Sequence, residues 1–439
     1  MTANAVPQGL RAVPGGGLRG DFVAPGDKSI SHRALILGAL AQGETRVEGL
    51  LESADVLATA AALRAFGAAC ERQGAGVWLV KGAAWRSPKG PIDCGNSGTA
   101  ARLLMGAAAG FPIETLFGGD ESLRRRPMGR VTAPLAGMGA RFDGAATLPI
   151  QMRGGALHGI AHRNEPASAQ VKSALLLAGL RANGPVELVE RAPSRDHTEI
   201  MLRAFGCDVE SRGFEGGVMV SLGARRDLVG TGVQVPGDPS SAAFPVVAAL
   251  VTPGSDVIVR NVLLNPLRSG LLDTLIEMGA EIQVSNRRWL GGELVGDLRA
   301  RSSRLRGVEV PAERAPSMID EYPVLAVAAA CASGTTFMRG LDELRHKESD
   351  RLDGMARGLA ACGVEAAAEG ESLAIRPAGR PPGGASVETR GDHRIAMSFL
   401  VLGLAAQRPV TVDRADMIAT SFPGFAAMMR SLGAQLEEV

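Results

Sequence analysis

Cysteine is scarce and carries no pairing pattern. The five residues Cys70, Cys94, Cys207, Cys331 and Cys362 show no CxxC spacing, so neither a disulfide framework nor a zinc site is expected and free buried thiols are the reading. An excess of either charge is missing too. Lys and Arg number 47 against 46 Asp and Glu, which excludes the broad footprint of a nucleic-acid binder and confines any basic cluster to one locality. The longest apolar run, residues 395–406, has 12 residues, against about 20 for a bilayer span, so no membrane segment is expected. Residues 1–25 scatter Pro, Gly and Arg with no continuous apolar stretch; a secretory signal is not indicated and a cytoplasmic location is the expectation. No GxGxxG follows a predicted strand, and neither GxxxxGK[ST] nor GxSxG occurs, which removes the usual support for nucleotide-binding and serine-hydrolase readings. His158 and His162 stand four apart without the Glu of HExxH or a third ligand, so no metal site is assigned.

What the chain does have is a repeat. Gly67, Gly139, Gly206, Gly279, Gly363 and Gly433 each follow an amphipathic stretch, 67 to 84 residues apart. In the first of these stretches Val56, Ala60, Leu63 and Phe66 line one face; in the fourth Leu271, Leu275 and Met278 do, the helical spacing. The glycine fits the left-handed position that ends a helix. β-Branched runs such as residues 44–50, 185–190, 256–262, 335–341 and 409–415 read as strands. Between them lie six further helices, polar at the start (GDKSISHR, GNSGTAAR, PASAQVKS, PGDPSSAA, SMIDEYP, GDHRIAM) and then apolar nearly all round. A helix apolar on every face is a buried one. The unit is therefore βαββα, or βαβαββ with the phase moved, and six units in 439 residues suggest two lobes of three.

The polar starts hold most of the chemistry. Helix N-termini carry orphan N–H groups and positive dipole ends, so converging starts would favour anions. At the first start Lys28, Ser29 and Arg33 share one face, a point charge beside a planar fork, suited to phosphate or carboxylate. The second offers Asn96, Ser97, Gly98 and Thr99, which N-cap chemistry explains equally well. Of the four arginines in LRRRPMGR, Arg126, directly before Pro127 at the start of a helix, is the candidate for an inward-pointing side chain. Ser168, Gln170 and Lys172 follow at the third start, with Arg195 just ahead of the next helix; structural capping competes there. Asp320 opens the fifth buried helix and is a candidate general base; Glu348 lies between Lys347 and Arg351 and could handle a second proton. Asp350 reads as a surface ion-pair member. The sixth start adds Asp392, His393 and Arg394.

In GDKSISHR, GNSGTAAR, RRPMGR, SAQVKSA, SRDHTE, PGDPSSAAF, IDEYP, KESDR and GDHRIAM, in this order over almost the whole chain, the sequence resembles the 5-enolpyruvylshikimate-3-phosphate synthase family of enolpyruvyl transferases. The resemblance implies an α/β fold of two lobes, each with three βαβαββ units and buried helices. Residues 26–236 would form the N-terminal lobe, and residues 1–25 with 237–439 the C-terminal lobe, with hinges near 25–26 and 236–237. It implies transfer of the enolpyruvyl group of phosphoenolpyruvate to the 5-hydroxyl of shikimate 3-phosphate with release of phosphate. No cofactor or metal is called for, and the expected protein is a monomer whose partners are these small anions, not nucleic acid or membrane. By motif match, Lys28, Ser29, Arg33, Ser168, Gln170, Arg195, Asp320 and Lys347 contact shikimate 3-phosphate. Lys28, Asn96, Gly98, Arg126, Gln170, Arg351 and Arg394 surround phosphoenolpyruvate. Asp320 would act as base toward the 5-hydroxyl, with Glu348 and Lys28 sharing the remaining proton transfers. The chain departs from the family's common pattern at ATSFPGF, where many members carry a lysine ahead of the Phe and this one runs Thr420, Ser421, Phe422. Two rival readings are the sister transferase acting on UDP-N-acetylglucosamine, whose mobile loop typically carries a cysteine absent from RRRPMGR, and a non-catalytic, phosphate-binding clamp-like module, which would have no use for Asp320 and Glu348.

Overall fold

The computed structural model describes residues 9–144 and 146–439. Six helices are almost wholly buried: Lys28–Leu40, Gly98–Ala109, Ala169–Gly179, Pro239–Val251, Tyr322–Ala330 and His393–Ala405. We call these the inner helices, first to sixth. Apart from His32, Arg33, Arg102, Ser173, Pro245 and Ser398, their side chains after the first turn are apolar on every face, so no orientation at a surface would satisfy them. Outer helices alternate with them: Ala54–Phe66, Gly129–Gly137, His197–Ala204, Gly270–Glu277, Arg351–Ala361 and Phe425–Ser431. The six repeat glycines close to their ends all have positive φ, from 78° to 117°, a region that costs a residue with a Cβ and costs glycine little.

Each repeat contributes to a four-stranded sheet, of which there are six among the described residues. Leu157–Arg163 pairs in parallel with Ala182–Glu190, which pairs antiparallel with Gly217–Leu222, and that strand with Val209–Phe214. The inner helix lies between the two parallel strands in sequence, the right place for a crossover connection. The same sequence of pairings recurs with Ile92–Asp93 and Glu114–Gly118, with Glu309–Val310 and Thr336–Met338, and with Ser386–Val387 and Val410–Asp413. The run 335–341, expected as one strand, pairs only over Thr336–Met338.

The chain divides into two compact units. One is Gly26–Pro236 with Trp289–Glu293; the other comprises the segment up to Pro25, Gly237–Arg288 and Leu294–Val439. Two strands change places with respect to the repeat order. Arg19–Val23 precedes the first inner helix yet pairs with Asp256–Leu263, and Gly232–Gln234 precedes the fourth yet pairs with Glu44–Glu48. In the second unit, the strand Gly9–Val13 lies between Val410–Asp413 and Gln435–Glu438, antiparallel to both.

The polar starts are capped. Asp27, Ser97, Ser168, Asp238 and Asp392 accept from backbone N–H groups of the first turn, at 2.8, 3.0, 3.5, 2.8 and 2.9 Å, and so satisfy part of each helix's orphan donors. The fifth inner helix has no side-chain cap. It begins at Tyr322, so Asp320 stands two residues ahead of the helix, in the turn after Ala315–Met318. Arg126 also differs from expectation. It terminates the short helix Glu121–Arg125 with an extended ψ of 137°, and the next helix starts only at Gly129. Pro127 excludes its predecessor from helical geometry.

Candidate active site

In the first unit the starts of three inner helices are bonded together. Arg33, 4% exposed, donates from Nε to Thr198 Oγ1 and from Nη2 to Ser173 Oγ, both at 2.7 Å, and from Nη1 to the Ser29 carbonyl at 2.9 Å. Arg33 therefore ties the first inner helix to the third and to the outer helix His197–Ala204. Lys28 is ion-paired with the buried Asp55. The second start meets the third through Gln170, which donates to Thr99 Oγ1 at 2.9 Å and accepts from Arg102 at 2.8 Å. Arg126 is buried, as its place before Pro127 suggested, whereas Arg124 and Arg125 are exposed. It donates to Asn96 Oδ1 at 2.8 Å, and the Asn96 amide donates to Asp120 at 2.6 Å. Gly98 sits against these cations: a Cβ there would lie 2.7 Å from Arg102 Nη1 and 3.2 Å from Arg126 Nη1. Beneath them His32 is enclosed, with Nδ1 2.7 Å from Thr59 Oγ1 and Nε2 3.4 Å from the capping Ser97. Burial, with Lys28 and Arg33 close by, holds its imidazole well below the ordinary 6.5 and therefore neutral near pH 7. Ser168 and Arg195 are part-exposed on neighbouring loops of the same unit.

In the second unit a single guanidinium gathers the acids. Arg351, 1% exposed, donates from Nε to Asp392 at 2.9 Å, from Nη1 to Asp320 at 3.4 Å and from Nη2 to Glu348. Burial would lower its pKa, but Asp392, Glu348 and Asp320 together raise it. Asp320 and Glu348 keep side-chain exposures of 16% and 14%, while Asp392 is fully enclosed. Lys347 Nζ is 3.4 Å from Asp320, and Arg394 donates to the Asp320 carbonyl at 3.0 Å. The fourth, fifth and sixth starts are linked as well. Buried Glu321 accepts from Ser240 Oγ and lies 3.7 Å from Arg394, and Arg268 donates to Ser240 at 2.8 Å. At ATSFPGF, Phe422 is buried 5.5 Å from the Phe425 ring and Thr420 Oγ1 lies 3.3 Å from His393 Nδ1, so the segment packs into the core and brings no cation. Asp350 caps the helix Arg351–Ala361 and pairs with Arg345 at 3.0 Å.

The expected residues thus fall into two sets, nine of them in Gly26–Pro236 and five between Asp320 and Arg394. Sequence reasoning passed over Asp55, Thr198, Glu190, Glu199, Glu321 and the ionic role of Asp392. Glu321 had a signal, since it is the acid next to Asp320 at an apolar helix start.

A cation-rich set and an acid-rich set at helix starts suit two anionic substrates and proton transfer between them. Residues 13–429 match the family model of EPSP synthase (3-phosphoshikimate 1-carboxyvinyltransferase). The chain belongs to this family. A 3-phosphoshikimate 1-carboxyvinyltransferase of Caulobacter vibrioides is 59% identical over 98% of this chain and 99% of the relative. Another, of Methylorubrum extorquens, is 56% identical over 100% and 99%. The EPSP synthase of Acinetobacter baumannii superposes with a TM-score of 0.86 at 42% identity, covering 98% of this chain and 99% of its own. The enolpyruvyl transferase NikO of Streptomyces tendae shares the fold, with a TM-score of 0.79 at 18% identity over 99% of each chain. As a member of the EPSP synthase family, the enzyme transfers the enolpyruvyl group of phosphoenolpyruvate to shikimate 3-phosphate in the shikimate pathway.

Proposed function

We propose that Asp320 and Glu348, held on one buried guanidinium, are the acid–base pair of this transfer, with Lys28 sharing the proton traffic. The observation that carries the reading is the fan of Arg351, which fixes two part-exposed carboxylates on Nη1 and Nη2 while Asp392 neutralises Nε. Protonating the methylene carbon of phosphoenolpyruvate builds positive character at C2. The 5-hydroxyl attacks there as Asp320 takes its proton, and the tetrahedral adduct then collapses: the methyl group returns a proton and the C–O bond to phosphate breaks. Glu348 and Lys28 are the groups assigned to the carbon-bound proton. Lys28, Ser29, Arg33, Ser168, Gln170, Arg195, Asp320 and Lys347 are read as the shikimate 3-phosphate contacts. Lys28, Asn96, Gly98, Arg126, Gln170, Arg351 and Arg394 are read as the phosphoenolpyruvate contacts. A dense set of donors that already hold carboxylates and hydroxyls supports this reading, because anionic substrates can replace those partners.

Asp320→Asn should bind shikimate 3-phosphate as the wild type does and slow phosphate release by about 10²-fold or more, the scale of a lost acid–base group. Near-normal turnover would remove Asp320 from the mechanism. We also read the enzyme as a cytoplasmic monomer with no nucleic-acid or membrane partner. Five free cysteines suit a reducing compartment, and one chain carries both residue sets; light scattering on the eluting protein tests the monomer.

A further inference from the structure

Behind the third inner helix lies an ionic cluster that the reaction does not use. Lys172, 2% exposed, is 3.1 Å from Glu190 and 2.8 Å from Glu199, which are 0% and 1% exposed. One ammonium faces two carboxylates, a costly arrangement unless each oxygen finds further donors. Glu190 finds four bonds. Oε1 accepts from the Asn164 amide and from Ser194 Oγ, both at 2.6 Å; Oε2 accepts from the Ser194 backbone N–H at 2.9 Å and from Lys172 at 3.1 Å.

Those bonds lead to two loops. Asn164 Nδ2 also donates to the carbonyl of Ser168 at 2.9 Å, so the NH2 group of one amide joins Glu190 to both ends of the segment 164–168. Ser194 immediately precedes Arg195, and its carbonyl accepts from Lys172 at 3.1 Å. On the far side of Arg195, Thr198 is held by Arg33 and Glu199 by Lys172. Ser168 and Arg195, each part-exposed, are thereby carried by backbone that a single enclosed carboxylate fixes. Burial raises the Glu199 pKa against the pull of Lys172, which leaves Glu190 as the carboxylate with the fuller set of donors.

We propose that Glu190 is a positioning residue for shikimate 3-phosphate, setting the spacing of Ser168 and Arg195 through Asn164 and Ser194. This rests on the assignment of those two side chains to that substrate. Asn96, Gly98 and Arg126, read as phosphoenolpyruvate contacts, are held by other bonds, and Gln170 is held by Thr99 and Arg102. The effect should therefore be selective.

Glu190→Gln keeps the shape but turns an NH2 group toward donors, and it leaves Lys172 paired with Glu199. Its dissociation constant and KM for shikimate 3-phosphate should rise about tenfold, the scale of one or two misplaced hydrogen bonds, while KM for phosphoenolpyruvate stays within about twofold. Asn164→Ala cuts only the arm to Ser168 and should weaken the same substrate selectively; it decides the matter if Glu190→Gln does not fold. Ser168→Ala separates the two levels of the argument. If Ser168→Ala binds shikimate 3-phosphate normally, the site assignment falls and the proposal with it. If Ser168→Ala weakens binding while Glu190→Gln and Asn164→Ala lower only the melting temperature, or raise both KM values equally, Glu190 is structural and the proposal is overturned.

Discussion

Arg351 is the side chain with most at stake. Its charge is enclosed and its partner Asp392 more so, and removing one member of such a pair leaves the other as an unpaired buried charge. Arg351→Met should cost about 3–5 kcal/mol in urea unfolding, and adding Asp392→Asn should recover part of that loss. A single variant within about 1 kcal/mol of wild type would mean that water already reaches Asp392. His32 makes the complementary case. Its folded pKa is depressed, first by burial and then by Lys28 and Arg33, so the unfolded chain binds the proton more readily. Stability contributed by the neutral ring is complete above about pH 6.5 and is lost as pH falls from there through the depressed folded value. Melting temperatures between pH 7.5 and 5 should fall more for the wild type than for His32→Gln; parallel curves would show that folding does not depress the His32 pKa.

At the scale of the helix, the polar starts have two jobs. Asp and Ser at five inner helices are caps, and several of their neighbours are the residues proposed to contact the substrates. Ser97 joins the two roles, because it caps the helix that begins at Gly98 and lies between Asn96 and Gly98. Ser97→Ala should therefore destabilise by about 1 kcal/mol and also raise KM for phosphoenolpyruvate; a stability loss with unchanged KM would reduce the turn to a cap. The repeat and its buried helices were readable because apolar periodicity and positive-φ glycines are local signals. The partners of the charged residues were not. Arg33 meets Thr198, 165 positions away, and Arg351 meets Asp392, 41 away, and nothing in the spacing of one residue names the other. Arg126 shows the intermediate case: its burial was legible from Pro127, but its place at a helix end was misread as a helix start.

For the molecule as a whole, near-equality of 47 basic and 46 acidic residues leaves little long-range field to draw in two anions, so attraction must come from local cations at short range. Raising salt from about 0.05 to 0.5 M shortens the screening length from about 14 to about 4 Å. KM for both substrates should rise severalfold while the melting temperature shifts little; a KM indifferent to salt would place the attraction inside fully desolvated contacts. The class of activity was legible because many short blocks recur in order, each tied to a helix start. Which partner each carboxylate holds became visible only in the fold, since Glu190 and Asp55 look like ordinary acids in the sequence.

The strand Gly9–Val13 has a consequence for biosynthesis. It is made before the first inner helix, yet both of its neighbours, Val410–Asp413 and Gln435–Glu438, are made after the sixth. On a ribosome that emits the N-terminus first, this strand must wait, with both edges unpaired, until its partners at 410–438 have emerged, while Gly26–Pro236 has all its sheet-forming strands once residue 236 has emerged. The two units would therefore settle at different times: the sheets of Gly26–Pro236 can close early, and the sheet built on Gly9–Val13 closes only after Gln435–Glu438 has been made.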